Sequence, residues 1–183
     1  MLGASGYTNI PVVVGSPTTL PFSSPAIGRQ RRYGEEGHFP RATHLSAVNF
    51  ILEQIHRFPG EISLVTIGPL TNVGALIDKD PETFRHLRRV VMMGGSIGAV
   101  DMGGVGATTG PMPEYNIYGD IPAAQKLFRS GVPLFVMPLD STAQLRLDEV
   151  KRDALFSKGT PLTDSLALLY LMWAVSPRCS STR

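Results

Sequence analysis

The strongest constraint on this chain is an alternation along it: a short apolar run, closed by a turn residue, then a segment with helical spacing. Ile10-Pro11-Val12-Val13-Val14 stops at Gly15, and Ile62-Ser63-Leu64-Val65-Thr66-Ile67 stops at Gly68-Pro69. Val90-Val91-Met92-Met93 stops at Gly94-Gly95, and Pro133-Leu134-Phe135-Val136-Met137 runs on to Asp140. Consecutive apolar residues bounded by breakers suit strands buried on both faces. Between them, Leu45, Val48, Leu52 and Ile55 recur at helical spacing, widened by Ile51 and Phe58. Thr43 is the candidate cap of that helix and Pro59-Gly60 its stop. Thr71 opens a short helix through Ile77, and Asp80-Pro81-Glu82 reads as a fresh start with Asp80 as N-cap. Arg85, Arg88 and Arg89 fall near the end of that helix, where cations suit the dipole. Asp120 caps a helix through Ser130, and two more cover Leu147 to Phe156 and Asp164 to Val175. Strand and helix in alternation predict an α/β fold: an open, mostly parallel sheet with helices on both faces.

In such sheets ligands sit beyond the carboxyl ends of the strands. Here those ends carry Gly15, Ile67-Gly68, Met93-Gly94 and Leu139-Asp140. Two long stretches without helical or strand period, Ser16 to Ala42 and Gly94 to Gly119, leave from the same edge. Long aperiodic segments inside a compact domain are usually functional, so a site is expected there.

Hydrophobic residues make up 43% of the 183 residues and charged ones 17%, which excludes disorder and suffices for one domain spanning 1–183. A net charge of +2 gives no field for nucleic acid or an anionic membrane. Arg29, Arg31 and Arg32 form a tight basic cluster that reads as a solvated loop. Cys179, alone in the chain, suits a reducing compartment. Met1 to Gly6 has no basic-then-apolar leader, and the apolar run Leu166 to Val175 is about half a membrane span. The expectation is a cytoplasmic protein with neither nucleic acid nor membrane as partner.

Glu114 and Asn116 alternate in Pro113-Glu114-Tyr115-Asn116-Ile117, so on extended backbone they face one ligand together. A carboxylate that accepts and an amide that both donates and accepts suit adjacent sugar hydroxyls. The plainer alternative makes Glu114 a solubilising charge and Asn116 a turn former. No phosphate-binding P-loop or dinucleotide fingerprint occurs, and no Ser–His–Asp nucleophile is expected. His38, His44, His56 and His86 lack metal-ligand spacing, which speaks against zinc. Met92, Met93, Met102 and Met112 read as gap-fillers, although Met93 ends a strand where the site is expected.

Four pieces in order carry a family resemblance: Gly68-Pro69-Leu70-Thr71-Asn72, Val91-Met92-Met93-Gly94-Gly95, Pro113-Glu114-Tyr115-Asn116-Ile117 and Leu139-Asp140-Ser141-Thr142. Over about residues 10 to 175 the chain resembles the inosine/uridine-preferring nucleoside hydrolases. The resemblance implies a Rossmann-like nucleoside hydrolase fold and hydrolysis of the N-glycosidic bond of ribonucleosides to base and ribose. It also implies a calcium ion (Ca2+) on the ribose hydroxyls and a water, and an aspartate that takes the water's proton. By position, Glu114 and Asn116 match the ribose-binding pair, with Tyr115 where the family has Phe, and Met93 matches the methionine against the ribose. Ile67 takes the place whose main-chain carbonyl ligates calcium, and Thr108 that of an asparagine reaching the ribose. A homo-oligomer is a further expectation.

The departures point to an incomplete site. The aspartate cluster DxDxxxDD of the family is absent, Tyr33 stands where its histidine precedes Gly34, and Ser176 to Arg183 do not resemble it. Calcium takes six to eight oxygens, and the one recognisable ligand is the Ile67 carbonyl. The expectation is therefore a partial domain, truncated at both ends, with no catalytic residue of its own and no hydrolysis alone. The alternatives are a non-catalytic nucleoside- or ribose-binding module and an interaction protein.

Overall fold

The computed structural model describes residues 5–7, 9–16, 42–43, 46–101 and 107–174. The expectations for Arg29, Arg31, Arg32, Tyr33, His38, His44, Leu45, Met102 and Cys179 lie outside these residues, as does most of the Ser16 to Ala42 stretch. The chain divides into two compact units. One contains residues 13–21 and 44–146, and the other residues 1–12, 22–43 and 147–183. Strands β1 (Val12–Val13) and β2 (Ala42–Thr43) form a two-stranded sheet.

The larger unit is built on three parallel strands, β3 (Ser63–Thr66), β4 (Arg89–Met93) and β5 (Leu134–Met137), side by side in chain order. Thr66 pairs with Met92, and Met93 with Met137, so the strands end together along one edge. Parallel neighbours need crossovers, and helices supply them. The helices are α1 (Ala47–Arg57), α2 (Thr71–Lys79), α3 (Pro81–Arg85), α4 (Tyr115–Tyr118), α5 (Ile121–Arg129) and α6 (Leu139–Thr142).

Capping residues set several of these boundaries. Asp80 accepts from the Thr83 N–H and Asp120 from the Ala123 N–H, each followed by proline in the first turn. Thr43 is not the cap of α1: it lies in β2, and Ser46 holds the N-cap position without a side-chain bond. The predicted stripe holds, with Val48, Leu52 and Ile55 of α1 buried. Helix α3 ends at Arg85, and Arg89 instead opens β4, where its Nε donates to Ser63 Oγ and its guanidinium lies over the Phe135 ring.

One core joins α1, α2, α3 and α5 to one face of the sheet. Val90 and Met92 of central β4 are fully buried there beside Ile55, Leu76 and Phe84, with Leu64, Leu134 and Val136 packed alongside. Each such side chain contributes about 1.5–3 kcal/mol on burial. Gly74 lets α2 meet α5 closely: a Cβ there would lie 2.7 Å from the Ala123 Cβ. The opposite sheet face is the more open one among the described residues. Val65, Phe135 and Met137 alternate onto it and are 63%, 48% and 43% exposed. In the other unit, α7 (Glu149–Phe156) and α8 (Pro161–Ala174) pack together through Phe156 and Tyr170.

Candidate functional site

The carboxyl ends of β4 and β5 gather three of the predicted residues. Beyond β4 the chain stays bonded to β5: the Gly94 N–H donates to the Met137 carbonyl (3.1 Å), and the Leu139 N–H to the Gly95 carbonyl (2.8 Å). Gly95 takes φ +82°, a conformation costly for side-chain-bearing residues, and its N–H reaches Glu114 Oε2 at 2.9 Å. Gly94 is needed for space, because a Cβ there would sit 2.8 Å from Met92 Cε and 3.3 Å from Glu114 Oε2.

Glu114 and Asn116 come together by a route different from alternation on extended backbone. Glu114 is the N-cap of α4, so its carboxylate folds back over the first turn. Oε1 accepts from the Asn116 N–H (3.0 Å), and Oε2 accepts from the Ile117 N–H (3.1 Å) besides Gly95. Both residues are only 6% exposed, which argues against a solubilising charge and a turn former. The Asn116 amide nitrogen donates to the Met93 carbonyl (3.0 Å) and the Met93 sulfur (3.1 Å). Both partners are acceptors, which fixes the amide with its nitrogen toward Met93. The amide therefore offers a ligand its oxygen and not its donors, a correction to the expectation that it does both. Carboxylate and amide oxygen together call for a ligand that donates, as a pair of hydroxyls does.

Among the described residues, Thr108 and Ile67 are not hydrogen-bonded to this cluster. The Thr108 hydroxyl accepts from the Val100 N–H and donates to the Gly110 carbonyl, both at 2.9 Å, closing its own loop. Ile67 follows the last β3 residue paired with β4 and is 80% exposed. No hydrogen bond among the described residues links either to Met93, Glu114 or Asn116. Among the described residues no three His, Cys, Asp or Glu side chains gather, so these residues alone do not supply the oxygens that calcium takes.

Asp140 is a residue whose part here could not be read from spacing. Its Oδ2 accepts from the Ile97 N–H at 2.8 Å and its Oδ1 from the Gly98 N–H. These bonds, Ile97 foremost, hold its carboxyl below the ordinary carboxylate range. Gly94-Gly95-Ser96-Ile97-Gly98 also matches the GxSxG pattern of serine hydrolases. No helix follows directly, however, and Ser96 Oγ accepts from the Met112 N–H and donates to the Gly98 carbonyl. A cleft of about 380 Å³ between α2, α3 and α5 contains none of the site residues; its Lys126 and Arg85 are paired with Asp78 and Glu82.

A parallel α/β sheet thus carries a buried glutamate and a buried asparagine beyond its strand ends. The profile of the inosine-uridine preferring nucleoside hydrolases matches residues 1–179, wider than the span read from the motifs. The chain belongs to that family. An uncharacterized protein of Schizosaccharomyces pombe is 36% identical over 160 residues, covering 79% of this chain and 47% of that protein. Pyrimidine-specific ribonucleoside hydrolase RihB of Escherichia coli is 34% identical over 144 residues, 74% of this chain and 43% of its own. The purine-preferring ribonucleoside hydrolase of Gardnerella vaginalis superimposes with a TM-score of 0.75 at 27% identity, covering 94% of this chain and 56% of that one. The chain thus spans about half the length of the curated relatives it matches.

Proposed function

We propose that this chain carries the ribose-binding edge of a ribonucleoside N-glycosidic hydrolase, with Glu114, Asn116 and Met93 as the substrate-binding residues. The observation that carries the reading is the Asn116 amide, whose nitrogen donates to the Met93 carbonyl and sulfur, which leaves its oxygen for a ligand on the turn that the Glu114 carboxylate caps. Two acceptors from residues of one helical turn suit the 2′- and 3′-hydroxyls of ribose, and Met93 supplies an apolar surface for the sugar ring. Relatives named for pyrimidine and for purine preference match this same stretch, which supports the ribose as the shared element.

In the reaction, the bond between C1′ and the base nitrogen breaks, water adds its oxygen to C1′, and a proton goes to the base. A sugar fixed by its hydroxyls presents C1′ in one orientation, which is the contribution this edge makes. Thr108 is assigned a loop-closing part beside the sugar. The calcium that the family resemblance implies would take the Ile67 carbonyl and needs further oxygens from outside the described residues. The whole chain is one partial domain, supported by a family match that crosses both units. It acts in a reducing compartment such as the cytoplasm, which the single cysteine supports.

Without the aspartate cluster, the chain alone binds and does not cleave. Titration calorimetry of the purified 183-residue protein with ribose and with inosine tests this directly. Binding of both, abolished by N116A, is expected. Absence of binding at millimolar sugar overturns the site, and calcium-dependent release of base from inosine or uridine overturns the statement that the chain does not cleave.

A further inference from the structure

We infer that Asp140 is a positioning residue for this site, fixing the segment after β4 so that Glu114 and Met93 stay aligned with Asn116. This rests on the ribose-binding reading only for its ligand arm. The chain beyond β5 grips the chain beyond β4 at four successive points. Met137 and Gly95 carbonyls take the N–H groups of Gly94 and Leu139, and the Asp140 carboxylate takes those of Ile97 and Gly98. The site hangs from the same segment: Asn116 bonds the Met93 carbonyl on one side of Gly94, and Glu114 bonds the Gly95 N–H on the other. Without the Asp140 clamp, the hydrogen bonds that remain among the described residues between this segment and the β5 side are the two backbone bonds at Gly94 and Gly95.

The chemistry requires a carboxylate. Two neighbouring N–H donors need two acceptors, one on each oxygen, and the fit is close: a Cβ on Gly98 would lie 3.3 Å from Asp140 Oδ1. An asparagine keeps one acceptor and turns an NH2 group toward the other donor. An alanine keeps none.

The test uses the full chain with D140A and D140N, read by residue-resolved amide hydrogen exchange and by ribose titration. Loss of the clamp is expected to speed exchange at Gly95, Asn116 and Ile117 roughly tenfold relative to β3. D140N should fall between D140A and the parent, because one acceptor remains. Ribose affinity should fall in the same order, by about tenfold in D140A. A residue acting on global stability alone would move β3 amides equally, which overturns the inference. So does acceleration confined to Ile97 and Gly98 with Gly95, Asn116 and Ile117 unchanged. If the parent chain takes up no ribose, the sugar reading fails while the exchange arm still decides the role of Asp140. If D140A does not fold, D140N is judged on the same criteria.

Discussion

Replacing Glu114 by glutamine separates its architectural part from a surface role. The carboxylate accepts three backbone N–H groups, from Gly95, Asn116 and Ile117. Glutamine has a single acceptor oxygen. Its better placement puts that oxygen where Oε2 lies, keeping Gly95 and Ile117, and faces its NH2 toward the Asn116 N–H. One hydrogen bond to a charged group is lost and a buried donor is left without an acceptor, a cost of about 1.5–3 kcal/mol. Against a total of about 5–15 kcal/mol this is a large fraction. In a chain of this size it corresponds to a fall of about 3–12 °C in melting temperature. Urea denaturation at neutral pH gives the free energy, and amide exchange at Gly95, Asn116 and Ile117 shows whether α4 frays before the rest opens. E114A should cost more, because all three acceptor contacts go. Parent-like stability of E114Q, within about 0.3 kcal/mol and with the three amides unchanged, refutes the reasoning; so large a discrepancy would mean that Glu114 does not cap α4 in solution.

Other perturbations probe the neighbouring parts. N116D turns a second oxygen toward the Met93 carbonyl and sulfur, so it should be less stable than N116A by about 1–3 kcal/mol in the same denaturation assay. G74A forces a Cβ to within 2.7 Å of Ala123 Cβ. It should therefore destabilise in the parent, yet be neutral or stabilising in an A123G background, with a coupling of about 1–3 kcal/mol in the double-mutant cycle. The low carboxyl pKa of Asp140 means that the unfolded chain takes up a proton first as pH falls. Its contribution is full above the unfolded value of about 4 and is lost as pH drops through the lower folded value. Stability measured across that window should decline less steeply for D140N than for the parent.

Features fixed by near neighbours were legible in the sequence, and those fixed by distant ones were not. Asp80 and Asp120 cap helices through bonds to residues three positions on, and both were read correctly. The α1 stripe and the strand-ending glycines are equally local, which is why the parallel sheet could be read from them. The pairing of Glu114 with Asn116 was found for the wrong reason. Alternation on extended backbone would have aimed two side chains in parallel, whereas the carboxylate reaches its neighbour by capping a four-residue helix.

What decides the chemistry of the site lies further off. The bond from Gly95 to Glu114 spans 19 residues, that from Asn116 to Met93 spans 23, and those to Asp140 span 43 and 42. No periodicity records such contacts, so spacing alone left Asn116 as a group that both donates and accepts. With the amide nitrogen on Met93, the oxygen is what Asn116 has left for a further hydrogen bond. Thr108 is held by shorter-range bonds: its hydroxyl closes the loop between Val100 and Gly110, across eight and two residues. Position in a family pattern records none of these tertiary partners, which tie Met93, Glu114 and Asn116 into one hydrogen-bonded cluster and Thr108 into its own loop.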